Sequence, residues 1–437
     1  MIETNNVQEQ LSVQENQEQL PIQLECIRCH SSFHWRSPRY LCSCQGLLEV
    51  KHKQPPPRDY LTTLNTRRSS QKTLDLSGVW RFREYVLPIA DQHIVTHPEG
   101  NTRLYARSSL NSYAGLDNLF FKHEGENPTG SFKDRGMTVA VTMAKRIGAK
   151  GIVCASTGNT SAALAAYAAH AQIPSVVLLP AGKIALGKLS QAVAYGARCL
   201  AVRGDFDAAM RLVTQSSEKL GLYVVNSVNP FRLEGQKTII WELLQQLNWQ
   251  PPDWIVVPAG NLGNTSAFGK ALLEAKEWGW IDRLPRIASI QAEGANPFYQ
   301  SFQTNFEHTF SVKAETIATA IRIGNPVNFE KGVNTIRSTQ GVVEHVTDAE
   351  LLEAKMRIDG SGIGCEPASA CTLAGIRKLV EKKIIGREES VVAILTGNIL
   401  KDAEVILSSI ESTRKAIKEI DPQADAVKEA LDETSSL

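Results

Sequence analysis

The stretch GIVCASTGNTSAALAAYAAHAQIPSVVLLPAGKIALGKLSQAVAYGARCLAV, residues 151–202, decides the fold. Three short apolar, β-branched runs, GIVCAS at 151–156, SVVLLP at 175–180 and RCLAV at 198–202, alternate with two longer stretches of helical periodicity at 159–171 and 183–195. Strand, helix, strand, repeated, predicts an α/β architecture built on a parallel sheet. Working outward, the alternation starts near Leu119 and continues with a helix over 205–220. It resumes with DWIVVP at 253–258, a helix over 265–278, RIASIQAE at 286–293, VVAILTG at 391–397 and a helix from Lys401 onward. These are too many strands for one sheet, so two open parallel-sheet domains with a cleft between them are expected. No repeat at solenoid periods is present.

Composition sets the limits. Of 437 residues, 43% are hydrophobic and 21% charged, the balance of a soluble globular chain with a large core. The net charge of +1 gives no overall field to recruit nucleic acid or an anionic membrane, so phosphate recognition must come from local groups. Apolar runs such as 162–169 are far short of the roughly 20 residues that cross a bilayer. Residues 1–23 are rich in Gln, Glu and Asn and contain no Arg, which reads as a disordered tail and not as a secretory or organellar address. Four of the eight cysteines fall between Cys26 and Cys44, which points to metal rather than disulfides and so to a cytoplasmic protein. Pro55, Pro56 and Pro57 remove three successive N–H donors and mark a linker.

Four segments carry chemistry. ENPTGSFKDRG at 126–136 places Lys133 after a turn-rich loop of small residues and before a helical pattern. A loop lysine is ordinarily a solvated charge, but an amine withdrawn from water on a rigid loop loses its proton near neutral pH and can form a Schiff base. Ser156, Thr157, Gly158 and Asn159 join a buried strand to an Ala-rich helix, whose free N-terminal N–H groups suit an anion, although a plain helix cap reads the same way. Gly260, Asn261, Leu262, Gly263 and Asn264 form a second such junction, judged alone a generic anion loop. Thr396 lies at the carboxyl end of another buried strand, where ligands of open α/β sheets bind.

Residues 128–135 closely resemble the Pro-Ser/Thr-Gly-Ser-x-Lys-Asp-Arg context of fold type II pyridoxal phosphate (PLP) enzymes. The resemblance implies a tryptophan synthase β-like fold in which Lys133 carries PLP and Ser156 and Thr157 grip the substrate carboxylate. It also implies that Asn159 meets the cofactor's 3′ oxygen, Gly260 to Asn264 cup its phosphate, and Thr396 bonds the pyridine nitrogen. A neutral hydroxyl there does not enforce a protonated ring as an aspartate would. Related enzymes often have His-Gly where Asn398 and Ile399 stand. EGNTRLY at 99–105, NSVNPFRLEGQKT at 226–238, AIRIGNPVN at 320–328 and GCEPASACTLAG at 364–375 narrow the resemblance to the threonine synthase family, over about residues 78–407. Arg103 replaces a usual proline and Cys371 a usual small residue.

That family implies O-phospho-L-homoserine as substrate, with Asn226, Ser227 and Arg232 as ligands of its phosphate. Arg232 paired with nearby Glu234 is the structural alternative. Because the leaving phosphate sits on the γ carbon, an α and then a β proton must be removed before it departs and water adds at Cβ. The expected organisation is a tail at 1–23, a zinc-ribbon-like segment at 24–52, a linker at 53–77, a large PLP-binding domain from 78–133 and 228–437, and a small α/β domain at 134–227. Cys26, Cys29, Cys42 and Cys44 read as ligands of a structural zinc, despite one residue instead of two between the second pair. His30 is a substitute ligand, and a ribbon without metal is the alternative. Rival functions are a sister activity, such as cysteate synthase acting on O-phosphoserine or threonine deamination, and a non-catalytic zinc-ribbon binding protein. A small-molecule substrate, no nucleic acid, no membrane and compatibility with a homodimer complete the reading.

Overall fold

A computed structural model describes residues 20–37, 39–181, 186–204, 206–403, 405 and 419–434. Most of the expected tail lies outside them, but its last residues do not behave as tail. Strand β1 (Ile22–Cys26) alternates buried Ile22, Leu24 and Cys26 with half-buried neighbours, and it pairs antiparallel with β2 (Ser32–Phe33) and β3 (Leu48–His52) in the order β2-β1-β3. Composition missed this start because only every second residue of the strand is apolar.

The expected linker is also folded. Helices Tyr60–Arg68 and Thr73–Leu76 occupy it, and Tyr60 and Leu64 are buried in the main core. Tyr60 stacks on Trp280 at 5.8 Å, meets Tyr85 edge-on at 5.1 Å and donates to Glu84 at 2.8 Å. The prolines follow β3 without detaching these helices from the body.

Ten strands succeed these in chain order: β4 (Leu104–Ala106), β5 (Asn118–His123), β6 (Gly151–Ala155), β7 (Ser175–Pro180), β8 (Arg198–Val202), β9 (Leu222–Val224), β10 (Trp254–Pro258), β11 (Arg286–Ala292), β12 (Val342–Val346) and β13 (Ser390–Leu395). They form a six-stranded sheet, β12-β11-β10-β13-β5-β4, parallel except for β4, and a four-stranded parallel sheet, β8-β7-β6-β9. The α/β fold with two parallel sheets is therefore as expected. One cluster of buried side chains contains Ile152, Cys154 and Val177 of the smaller sheet together with Ile255, Val257, Ile287 and Val392 of the larger. The described residues up to Lys401 make one compact unit, and a second begins at Asp402. Most of the helix expected from Lys401 onward lies outside the described residues; the second unit contains the helix Ala424–Thr434. No helix among the described residues is long and apolar enough to cross a membrane.

Helix Lys133–Arg146 crosses helix Pro230–Gln246 in backbone contact, because a Cβ on Gly235 would lie 1.8 Å from the Arg135 carbonyl oxygen. This contact brings the helix that starts at Lys133 against the helix that carries Arg232. Asn229 caps the second helix by accepting the Phe231 N–H at 3.0 Å, with Pro230 in its first turn. Beneath the Lys133 loop lies a fully buried charge cluster. Arg135 pairs with Glu124 at 2.6 Å and Glu242 at 2.9 Å, and Lys122 also pairs with Glu242. Asn127 ties the loop to this cluster, donating to Glu124 at 2.8 Å and accepting the Gly100 N–H at 2.8 Å.

Candidate active site

The loop before Lys133 is fastened to the end of β13. Phe132 N–H donates to the Thr396 carbonyl at 3.0 Å, Asn398 N–H to the Gly130 carbonyl at 2.9 Å, and Ser131 faces Gly397 in an isolated bridge. Lys133 and Thr396 are therefore neighbours although 263 residues separate them in sequence. Thr129 donates its N–H (2.7 Å) and its hydroxyl (2.5 Å) to buried Asp134, which closes the turn. The Lys133 side chain is half-buried and its Nζ lies 4.0 Å from the centre of the Phe132 ring. Desolvation, reinforced by the Arg232 charge, lowers the amine from its ordinary value to about 7, while Glu366 opposes the shift. A substantial fraction is thus free base at neutral pH, as an imine-forming lysine requires.

Asn159 opens the helix Asn159–Ala171 directly after β6 and donates through Nδ2 to Glu366 Oε2 at 2.9 Å. Thr396 donates through Oγ1 to the other oxygen of Glu366 at 2.8 Å. The two residues expected to contact the cofactor ring are therefore joined by one carboxylate, which sequence reading left without a role. Ser156 accepts the Gly158 N–H at 3.2 Å, and Ser156 and Thr157 are half-buried at the same helix end.

Gly260 to Asn264 lead from β10 into helix Gly263–Glu277, with Leu262 in a left-handed conformation at φ 60°. A Cβ on Gly260 would stand 3.0 Å from Ile321 Cα, so the tight approach of two backbones favours glycine. The first N–H groups of this helix have no intrahelical acceptor. Such a donor-lined turn fits a phosphate. Asn328 holds it against the smaller sheet, since its Nδ2 lies 3.2 Å from the Ser227 carbonyl and 3.3 Å from the Asn261 carbonyl.

Arg232 is buried at 3% exposure, and its Nη1 donates to the Val225 carbonyl at 2.9 Å. Its Nε has no hydrogen-bond partner. The alternative pairing with Glu234 is absent: Glu234 faces Lys237 at 2.6 Å, Lys270, and His52 Nε2 at 3.3 Å. Burial lowers the guanidinium to about 10. A buried cation with an unused donor is a fitting receptor for an oxyanion. The Asn226 amide bonds both Ala155 backbone groups at 3.0 Å and so completes the β6–β9 junction. One Nδ2 hydrogen remains for a ligand.

Apart from this constellation, Cys26, Cys29, Cys42 and Cys44 place all four Sγ atoms within 4.8 Å of one another. A zinc–sulfur bond of about 2.3 Å sets tetrahedral sulfurs about 3.8 Å apart, so the donor set fits a zinc ion. The short Cys42-Ser43-Cys44 knuckle therefore still delivers both sulfurs. His30 turns to Glu25 at 3.3 Å instead of joining the cluster.

Residues 95–397 match the family model described as pyridoxal-phosphate dependent enzyme. The chain is 47% identical over 393 residues to threonine synthase of Methanocaldococcus jannaschii, covering 89% of this chain and 95% of that one. It is 46% identical over 411 residues to threonine synthase of Methanosarcina acetivorans, covering 93% and 98%. The chain belongs to the threonine synthase family. It is thereby a PLP-dependent lyase of amino-acid biosynthesis. Threonine synthase of Escherichia coli shares the fold at a TM-score of 0.67, with 19% identity over 93% of this chain and 94% of that one. Maize serine racemase, at a TM-score of 0.62 and 23% identity, covers 77% of this chain and 97% of the racemase, so the α/β body extends beyond the threonine synthase family.

Proposed function

We propose that Lys133 binds PLP covalently and that the site converts O-phospho-L-homoserine and water into L-threonine and inorganic phosphate. The observation that carries this reading is the convergence, at the carboxyl ends of both parallel sheets, of an amine with a value of about 7 and a buried arginine with an unused donor. Bound PLP supplies the electron sink that lets protons leave carbons near the amino group. Asn159 and Thr396 orient its ring, and Gly260, Asn261, Leu262, Gly263 and Asn264 receive its phosphate. Ser156 and Thr157 hold the substrate carboxylate. Asn226, Ser227 and Arg232 hold the substrate phosphate, so that its departure from Cγ is stabilised by a charge already in place. With PLP bound, Lys133 would be the base that removes the α proton and then assists loss of the β proton.

Cysteate synthase activity on O-phosphoserine shares the cofactor contacts and differs at this phosphate subsite. The four cysteines hold a structural zinc in this reading. The partner is a small molecule, without nucleic acid or membrane, in a cytoplasmic protein compatible with a homodimer. Borohydride reduction of the cofactor-loaded protein and peptide mapping of the product test the anchor. The pyridoxyl label is expected on Lys133, and a label on another lysine would refute the assignment.

A further inference from the structure

Tyr40 belongs to the cysteine-rich segment, two residues before Cys42, and has no part in the expected site. Its ring packs against the buried cluster of Val153, Ala155 and Val224 and lies 6.1 Å from the Tyr223 ring. Its Oη accepts the Val224 N–H at 2.8 Å. β9 is the last strand in the order β8-β7-β6-β9, and an edge strand presents N–H groups that its own sheet does not pair. Successive N–H groups of a strand point to opposite edges. Val225 turns its N–H inward to the Val153 carbonyl of β6 at 3.0 Å, so that of Val224 points off the open edge, where Tyr40 meets it. Val224 is buried, and removing the phenol oxygen takes this donor's acceptor away.

The same residue leads directly to Arg232. The Val224 carbonyl accepts from Asn229 Nδ2 at 2.7 Å, and Asn229 caps the helix whose third residue is Arg232. The next carbonyl, that of Val225, holds Arg232 Nη1, and Asn226 and Ser227 follow it in the chain. On its other flank the cysteine-rich segment is fixed to helix Phe329–Ser338. Arg28, between Cys26 and Cys29, pairs there with Glu330, and the Leu48 carbonyl accepts from Lys331 at 2.8 Å. Asn328, directly before that helix, is the residue whose Nδ2 reaches the Ser227 and Asn261 carbonyls. The segment thus grips both stretches of chain that meet at Ser227.

We propose that Tyr40 is a positioning residue for the substrate's phosphate, holding Arg232 in place through Val224 and Asn229. The proposal rests on the proposed function, in which Arg232 receives that phosphate. It gives the cysteine-rich segment a share in substrate recognition, although none of its residues belongs to the constellation around Lys133. Without the phenol oxygen the end of β9 is released, Asn229 and the Val225 carbonyl move with it, and the guanidinium meets the oxyanion in poorer alignment.

The test is a double-mutant cycle on the cofactor-loaded protein, read as kcat/KM for O-phosphohomoserine. Tyr40→Phe keeps the ring and removes the acceptor. It should lower kcat/KM by about 2- to 10-fold, the scale of one hydrogen bond, with the cofactor absorbance unchanged. In the Arg232→Ala background the same change should have no further effect, because the group it positions is gone. Ile22→Val, which trims the buried core of the same segment, should lower the melting temperature and keep the wild-type kcat/KM. Wild-type kcat/KM in Tyr40→Phe overturns the proposal. So does an equal loss in both backgrounds, or an equal loss in Ile22→Val, either of which marks a general effect of the segment's stability. Normal turnover by Arg232→Ala alone is a separate outcome: it refutes the phosphate assignment itself, and the proposal falls with it.

Discussion

Replacing Arg232 by alanine separates recognition of the substrate's phosphate from recognition of the cofactor's. In the folded protein the guanidinium is 3% exposed, uses Nη1 on the Val225 carbonyl and leaves Nε without a partner. A hydrogen bond to a charged group contributes about 1.5–3 kcal/mol, so loss of the Nε contact alone should lower kcat/KM for O-phosphohomoserine by about 10- to 150-fold, at about 1.4 kcal/mol per factor of ten. Folding should change little. The Val225 carbonyl loses a donor, at a net cost of about 1 kcal/mol, but a cation buried without a carboxylate partner is removed at the same time. Cofactor should stay attached, because its phosphate has the glycine-lined turn at Gly260 to Asn264. Arg232→Lys should recover part of the rate, since an ammonium keeps the charge and loses the planar fork. The assay is phosphate release under steady-state conditions, alongside the cofactor absorbance of each variant. Loss of cofactor, or normal turnover of phosphohomoserine, would refute the assignment of Arg232 to the substrate.

The geometry sets three further outcomes. The cofactor-free Lys133 amine should react with an amine-directed reagent along a titration centred near pH 7, because burial and Arg232 lower its value; it is protonated and slow below that pH, and free and fast above it. A profile centred near 10.4, the ordinary lysine value, would contradict the desolvated setting. Arg135→Met should cost about 3–5 kcal/mol in denaturant unfolding, because Glu124 and Glu242 are left buried without their cation, and a loss under about 1 kcal/mol would show that the cluster relaxes. Deleting residues through Lys53 should lower the melting temperature markedly, since Leu20, Ile22, Leu24, Leu48 and Val50 belong to the same buried cluster as Ile240 and Phe268, and an unchanged melting temperature would mean that the ribbon packs more loosely than these contacts imply.

That last outcome marks where sequence reading fell short. A ribbon preceding three prolines reads as a remote appendage, whereas Lys331 donates to the Leu48 carbonyl at 2.8 Å and Val224 N–H to Tyr40 Oη at 2.8 Å. Nothing local in the sequence announces contacts between residues 184 or 283 positions apart. The buried parallel strands β6, β7, β10 and β13 were legible because they are apolar almost throughout. Three-residue β4 and β9 are too short to show a period, and VVEHV of β12 mixes charge with valine. The Lys133 motif was legible because its loop, lysine and helix start are contiguous. Glu366 was not, since its meaning arises from Asn159, 207 residues earlier, and Thr396, 30 residues later. Glu234 seemed a natural partner for Arg232 two residues away, but i and i+2 point to different sides of a helix, and Glu234 instead meets His52 and Lys270.

The most direct measurement of the central claim is phosphate release from O-phospho-L-homoserine compared with O-phospho-L-serine, with the amino-acid product identified. The account predicts equimolar phosphate and threonine from phosphohomoserine, little release from phosphoserine, and loss of both products in Lys133→Ala. Preference for phosphoserine, or phosphate release without threonine, would contradict it.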